Sequence, residues 1–79
     1  MDREWLTAAL ALAQEHVRRG AERIARVEQC LAIAEKRGVD SRSLTRTLTT
    51  LECSQGLFVD DRDRFQRELD LITQKSTCP

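Results

Sequence analysis

Residues able to do chemistry are few in this chain of 79 residues. Cys30, Cys53 and Cys78 are three thiols with no CxxC spacing, an odd number that suits neither a disulfide framework nor a zinc site. Cys30 and Cys53 read as small apolar fillers beside a helix seam. A thiol-based redox switch through Cys30/Cys53 is the alternative, because folding the chain about its middle would bring them near each other. Cys78 reads as adventitious. His16 is the single histidine, so a histidine-based metal site lacks its second imidazole. Carboxylates abound but alternate with arginines at helix-surface spacing, as in Glu15/Arg19, Glu22/Arg26, Asp60/Arg64 and Asp63/Arg67. That is a solvated face rather than an acid–base pair in a cleft. The acidic run Asp60-Asp61-Arg62-Asp63 has no glycine-bearing calcium loop, and no phosphate loop or Ser/His/Asp set occurs. The chain reads as non-enzymatic, with no catalytic residue, no cofactor and no metal.

Arg18, Arg19, Arg23 and Arg26 form the one basic cluster. As an alternative function they would make the protein a nucleic-acid-binding regulator. Against that, 13 Lys and Arg balance 13 Asp and Glu, and three aromatic residues leave little for base stacking. His16 raises a further idea, since the segment His16-Val17-Arg18-Arg19-Gly20 lies on the first helix of a hairpin. It resembles the phosphoacceptor box of histidine kinases in His16 and Arg19 only. Val17 stands where that family has an acidic residue, and Gly20 and Ala21 where it has a proline. A solvent-facing helical histidine is the expectation.

The elements that would position these groups are legible from spacing. Leu6, Leu10, Ala13, Val17, Gly20, Ile24, Val27, Leu31 and Ala34 recur in alternating steps of four and three, a heptad seam. Leu44, Leu48, Leu51, Gln55, Phe58, Arg62, Phe65, Leu69 and Ile72 repeat it, with Gln55 and Arg62 as polar members. Between them, Lys36-Arg37-Gly38 is a helix stop and Asp40 a candidate N-cap, with Val39 and Leu44 placed for a hydrophobic staple. Asp2 can cap the first helix. The spacing predicts an all-α, antiparallel two-helix hairpin of coiled-coil type. Its first helix runs over about 3–37, its turn over 38–40 and its second helix over about 41–74, with a frayed tail at 75–79. The seam is expected to use Leu10, Val17, Ile24, Val27, Leu31, Leu48, Leu51, Phe58, Phe65 and Leu69. A break near Gly56, with Asp60 capping a third helix, is the competing reading of the second half. Folding about residue 39 would level positions whose numbers sum to roughly 78–82. The arginines at 18–26 would then face Asp60, Asp61 and Asp63, and Gly20 would lie within a turn of Phe58.

A lone pair of helices buries one narrow stripe each, which rarely stabilises a chain of this size. Apolar residues outside the seam suggest a second apolar face: Trp5, Ala9, Leu12, Cys30 and Ile33 on the first helix, Cys53, Leu57, Val59 and Leu71 on the second. Two hairpins pairing into a four-helix bundle would cover it. Trp5, Leu12, Ile33 and Leu57 are the interface candidates. The expected partner is a second copy (a homodimer) or another protein, with nucleic acid and membrane not expected. No apolar run reaches membrane-spanning length and the first residues do not read as a signal peptide, so a cytoplasmic location is expected.

The segments His16-Val17, Gly20, Ile24-Ala25-Arg26, Lys36-Arg37-Gly38-Val39-Asp40-Ser41, Leu48-Thr49-Thr50-Leu51 and Asp61-Arg62-Asp63-Arg64 carry a resemblance across about residues 14–70. On these the chain resembles a group of short helical-hairpin proteins of rhizobia and related alphaproteobacteria. The resemblance implies a bacterial, stand-alone helical protein; the group brings no activity and no functional residues with it.

Overall fold

The structure, a computed structural model, describes residues 2–77, with side chains described as far as residue 74. Two helices, α1 (Arg3–Arg37) and α2 (Arg42–Thr77), pack along each other as an all-α hairpin. The molecule is a rod of 65 × 17 × 14 Å.

An aspartate accepts a backbone N–H at each helix start. Asp2 is extended at φ −74° and ψ 138°, and its Oδ1 accepts from the Glu4 backbone N–H at 3.1 Å. At α2 the N-cap is Ser41, whose carbonyl accepts the first helical bond from the Thr45 N–H at 3.0 Å, and the expected cap Asp40 stands one residue earlier, its Oδ1 accepting from the Arg42 N–H at 3.1 Å. These acceptors satisfy amides that no earlier turn can reach. The stop after α1 is Gly38, left-handed at φ 69°. Its N–H donates to the Glu35 carbonyl at 3.2 Å, and the Val39 N–H donates to the Ala34 carbonyl at 2.9 Å. This Schellman pattern reverses the chain at once.

The reversal sets the register. The facing pairs His16–Phe58 and Gly20–Gln55 have numbers summing to 74 and 75, not the expected 78–82. α2 is therefore displaced by roughly five residues, about 8 Å along the axis. Sequence symmetry about residue 39 assumed that the turn sits above both helix ends. Instead Val39 lines a surface groove with Cys30, Ile33 and Ala34, so the chain descends beside the last turns of α1 before α2 begins. Val39, the residue expected to staple onto Leu44, is 57% exposed.

Every seam position is sheltered. Leu6, Leu10, Ala13, Gly20 and Ala34 are buried, while Val17, Ile24, Val27 and Leu31 are half-buried. Across from them Leu44, Leu48, Leu51, Gln55, Phe58, Arg62, Phe65, Leu69 and Ile72 are all half-buried. Helix α2 runs unbroken through Gly56 and Asp60, so no third helix exists among the described residues. Thr45, Thr47, Thr49 and Thr50 each donate a hydroxyl hydrogen to the carbonyl four residues earlier, at 3.0–3.1 Å, which satisfies them inside the helix. The helix also continues to Thr77, past the expected end at 74, because no breaker precedes Pro79. Met1, Cys78 and Pro79 lie outside the described residues, and with them the expectations for Cys78 and for the end of the tail.

Candidate protein-interaction face

One residue before each α1 seam position runs a stripe that starts Trp5, Ala9, Leu12 and His16, passes Arg19, Arg23 and Arg26, and ends at Cys30 and Ile33. The equivalent stripe on α2 contains Thr47, Thr50, Ser54, Leu57, Asp61, Arg64, Glu68 and Leu71. The two helices are antiparallel, so these stripes flank the seam on the same side. A groove of about 260 Å³ confirms the pairing, since Trp5, Ala9, Leu12 and His16 line it together with Phe58, Asp61 and Phe65. All three aromatic residues of the chain meet there. Trp5 stands edge-on to Phe65 with centroids 5.8 Å apart, His16 tilts over Phe58 at 5.1 Å, and the Arg64 guanidinium lies 5.1 Å from the Phe65 centroid. These contacts use quadrupole and cation–π attraction.

The exposed large apolar side chains are Trp5, Leu12, Ile33, Val39, Leu57 and Leu71, each at least half exposed. Five lie on the two stripes, and Val39 lines the second groove beside Ile33. The opposite side of the seam presents Ala11, Gln14, Ala21, Ala25, Glu28 and Ala32 on α1, all exposed. The large exposed apolar side chains gather on one side of the seam, interspersed there with Arg19, Arg23, Arg26, Asp61, Arg64 and Glu68, while the other side is small or polar. The interface candidates Trp5, Leu12, Ile33 and Leu57 thus share a face; Leu71, Ala9 and Cys30 belong with them, whereas Cys53 and Val59 do not.

The charges pair within helices. Glu15 receives hydrogen bonds from Arg18 and from Arg19 Nε at 2.9 Å, and Arg18 Nη1 reaches Glu22 at 2.5 Å. The two guanidiniums hold the Glu15 carboxyl down at about 2, Arg18 contributing most. Asp40 is likewise held below its ordinary value by Arg42. Arg64 pairs with Asp61 at 3.3 Å and Arg62 with Asp63 at 3.1 Å. Of the four surface pairs expected from spacing, Glu15/Arg19 forms, and Glu22/Arg26, Asp60/Arg64 and Asp63/Arg67 do not. No ion pair among the described residues crosses between helices. The displaced register explains this, because Asp61 lies level with Leu12 and Ala13 instead of the arginine cluster. Arg23 and Arg26 are left without a carboxylate partner on the apolar face.

Cys30 and Cys53 are free and exposed. The register places Cys53 about nine residues along the axis from the level of Cys30, on the order of 13 Å, so the structure does not bring the two thiols together. His16 is exposed and stacks on Phe58. Among the described residues no group of three or more His, Cys, Asp or Glu could hold a metal, and no helix is long and apolar enough to cross a membrane.

One pairing escaped the sequence reading. Gly20 faces Gln55 rather than Phe58: Gln55 Nε2 donates to the Val17 carbonyl at 2.8 Å, and a Cβ on Gly20 would lie 1.9 Å from Gln55 Oε1. The signal was present as a polar residue on the seam opposite the only seam glycine, but the assumed register hid it. Comparison with known proteins finds no matching family model, curated protein or solved structure.

Proposed function

We propose that this protein acts by contact, without chemistry of its own, and that it self-associates through the Trp5 face of the hairpin. One observation carries this reading: five of the six exposed large apolar side chains lie on one side of the seam while the other side is small or polar. Apolar area concentrated on one face is the mark of an interaction surface, whereas scattered surface apolars are ordinary. A nucleic-acid role has less support, because Arg18 and Arg19 are engaged by Glu15 and Glu22 and the aromatics stack on other side chains. Two exposed free thiols suit a reducing compartment, and the cytoplasm is the proposed location. Sedimentation velocity from low micromolar to several hundred micromolar tests self-association. A mass rising from monomer to dimer is expected; a monomer throughout would overturn it.

A further inference from the structure

We infer that the apolar face is covered by a second copy of the chain, related by a two-fold axis along the rod, so that both turns lie at the same end. This rests on the self-association through the Trp5 face proposed above and adds the symmetry and the orientation.

The first support is area. The hairpin exposes 6124 Å², where a compact monomer of 9.0 kDa exposes about 4,900 Å². The excess, on the order of 1,200 Å², exceeds the roughly 800 Å² per partner that a standard stable interface buries. A second copy laid along the whole face removes an area of that size. The small groove at the aromatic end alone does not.

The second support is charge. Two hairpins stacked face to face have two closed arrangements. An axis across the rod puts the turns at opposite ends and lays α1 on the partner's α1. With the axis at the middle of α1 (Arg3–Arg37), this arrangement brings Arg19 and Arg23 within a turn of the partner's Arg19 and the partner's Arg23, while Arg26 falls level with residue 14. Arg23 brings no carboxylate with it, and like charges brought this close disfavour the arrangement. An axis along the rod instead lays α1 on the partner's α2 at the same level. The register of this hairpin places Leu57, Ser54 and Thr50 level with Arg19, Arg23 and Arg26, and the serine and threonine oxygens accept hydrogen bonds from guanidinium groups. The same arrangement sets Trp5 level with the partner's Leu71, apolar on apolar.

Cys30, exposed on this face, makes the orientation measurable. Turns at one end put Cys30 level with Cys30 of the partner subunit, about 15 Å away or less across a bundle whose neighbouring axes lie about 10 Å apart. Turns at opposite ends separate the two sulfurs by about 30 Å. The experiment uses the full chain carrying Cys53→Ser and Cys78→Ser, treated with a bismaleimide spanning about 15 Å at a concentration where sedimentation shows dimer. A covalent dimer through Cys30 is expected. Leu12→Glu, at an exposed position that leaves the hairpin intact by far-UV circular dichroism, is expected to weaken dimerisation at least tenfold and remove the cross-link. A dimer that gives only single adducts at Cys30 overturns this inference alone; a dimer whose dissociation constant ignores Leu12→Glu overturns the Trp5 face proposed above and this inference with it. A monomer at every concentration overturns the proposed self-association and this inference with it.

Discussion

Gln55 occupies the notch that Gly20 leaves in α1. Its Nε2 is bonded to the Val17 carbonyl at 2.8 Å, and its buried Oε1 has no partner. The unsatisfied oxygen costs stability, and in return the carboxamide fits only where α1 lacks a side chain. A single polar seam residue that fixes register at a cost in stability is a known device of coiled coils. Gly56 provides the contrast, since a Cβ there would meet nothing within 4 Å. Gly56→Ala should therefore stabilise the hairpin by about 1 kcal/mol through helix propensity alone, a rise of roughly 4–8 °C in Tm. Gly20→Ala gains the same propensity but expels Gln55 and loses a bond worth about 1 kcal/mol. Its melting point should stay near or below the parent's, and the double change Gly20→Ala with Gln55→Ala should recover part of the gain. Equal gains from both alanines in thermal melts would show that the notch is not used. Glu15 supports a second residue-scale expectation. Its folded value is lowered from 4.5 to about 2, so the unfolded state binds the proton more tightly between those values. The stability from this site is present above pH 4.5 and is lost as pH falls toward 2. Melts recorded from pH 5 to pH 2 should fall less steeply in Glu15→Gln, and the difference should shrink at high salt because the pairs are exposed.

At the scale of the helices, burial grades the seam. Leu6 is fully buried, and Leu6→Ala should cost about 2–4 kcal/mol. Leu31 and Phe58 are half-buried, so alanine at either should cost less than at Leu6. Denaturant unfolding that ranks Leu31→Ala above Leu6→Ala would contradict the packing. The helix limits and the seam were legible because each follows from local rules: the four-three spacing, the aspartates at the helix starts and the left-handed Gly38. The continuity of α2 was legible too, since the spacing passes Gly56 in phase. Register was not legible, because it depends on the path of residues 38–41, and a Schellman turn followed by a descending segment has no sequence period. Everything that depended on register moved with it, including the Arg18–Arg26 and Asp60–Asp63 pairing, the Cys30–Cys53 approach and the neighbour of Gly20. Arg62 kept its place because a long side chain can lay its stem along the seam and carry its guanidinium out to Asp63 at 3.1 Å.

For the molecule as a whole, the buried set is small: Leu6, Leu10, Ala13 and Ala34 are the only buried apolar residues described. Ordering a chain of this length costs on the order of 100 kcal/mol in conformational entropy, and short domains with one thin core seldom offset it. Folding and association should therefore be linked, and the linkage has a sign and a size. If the second copy binds only the folded hairpin, each hundredfold rise in protein concentration above the dissociation constant adds about 2.7 kcal/mol to the stability of the dimer. The parent's melting point should then climb steadily between 5 and 500 µM (a hundredfold range). Leu12→Glu removes an exposed side chain of the apolar face without touching the seam, so it should lower the melting point and flatten this dependence while leaving the low-temperature helical signal unchanged. Leu6→Ala should lower the melting point at every concentration and keep the slope, because it weakens the hairpin and leaves the face intact. A parent whose melting point is the same across that range would mean that one hairpin holds itself together, and the apolar face would then need a partner other than its own copy.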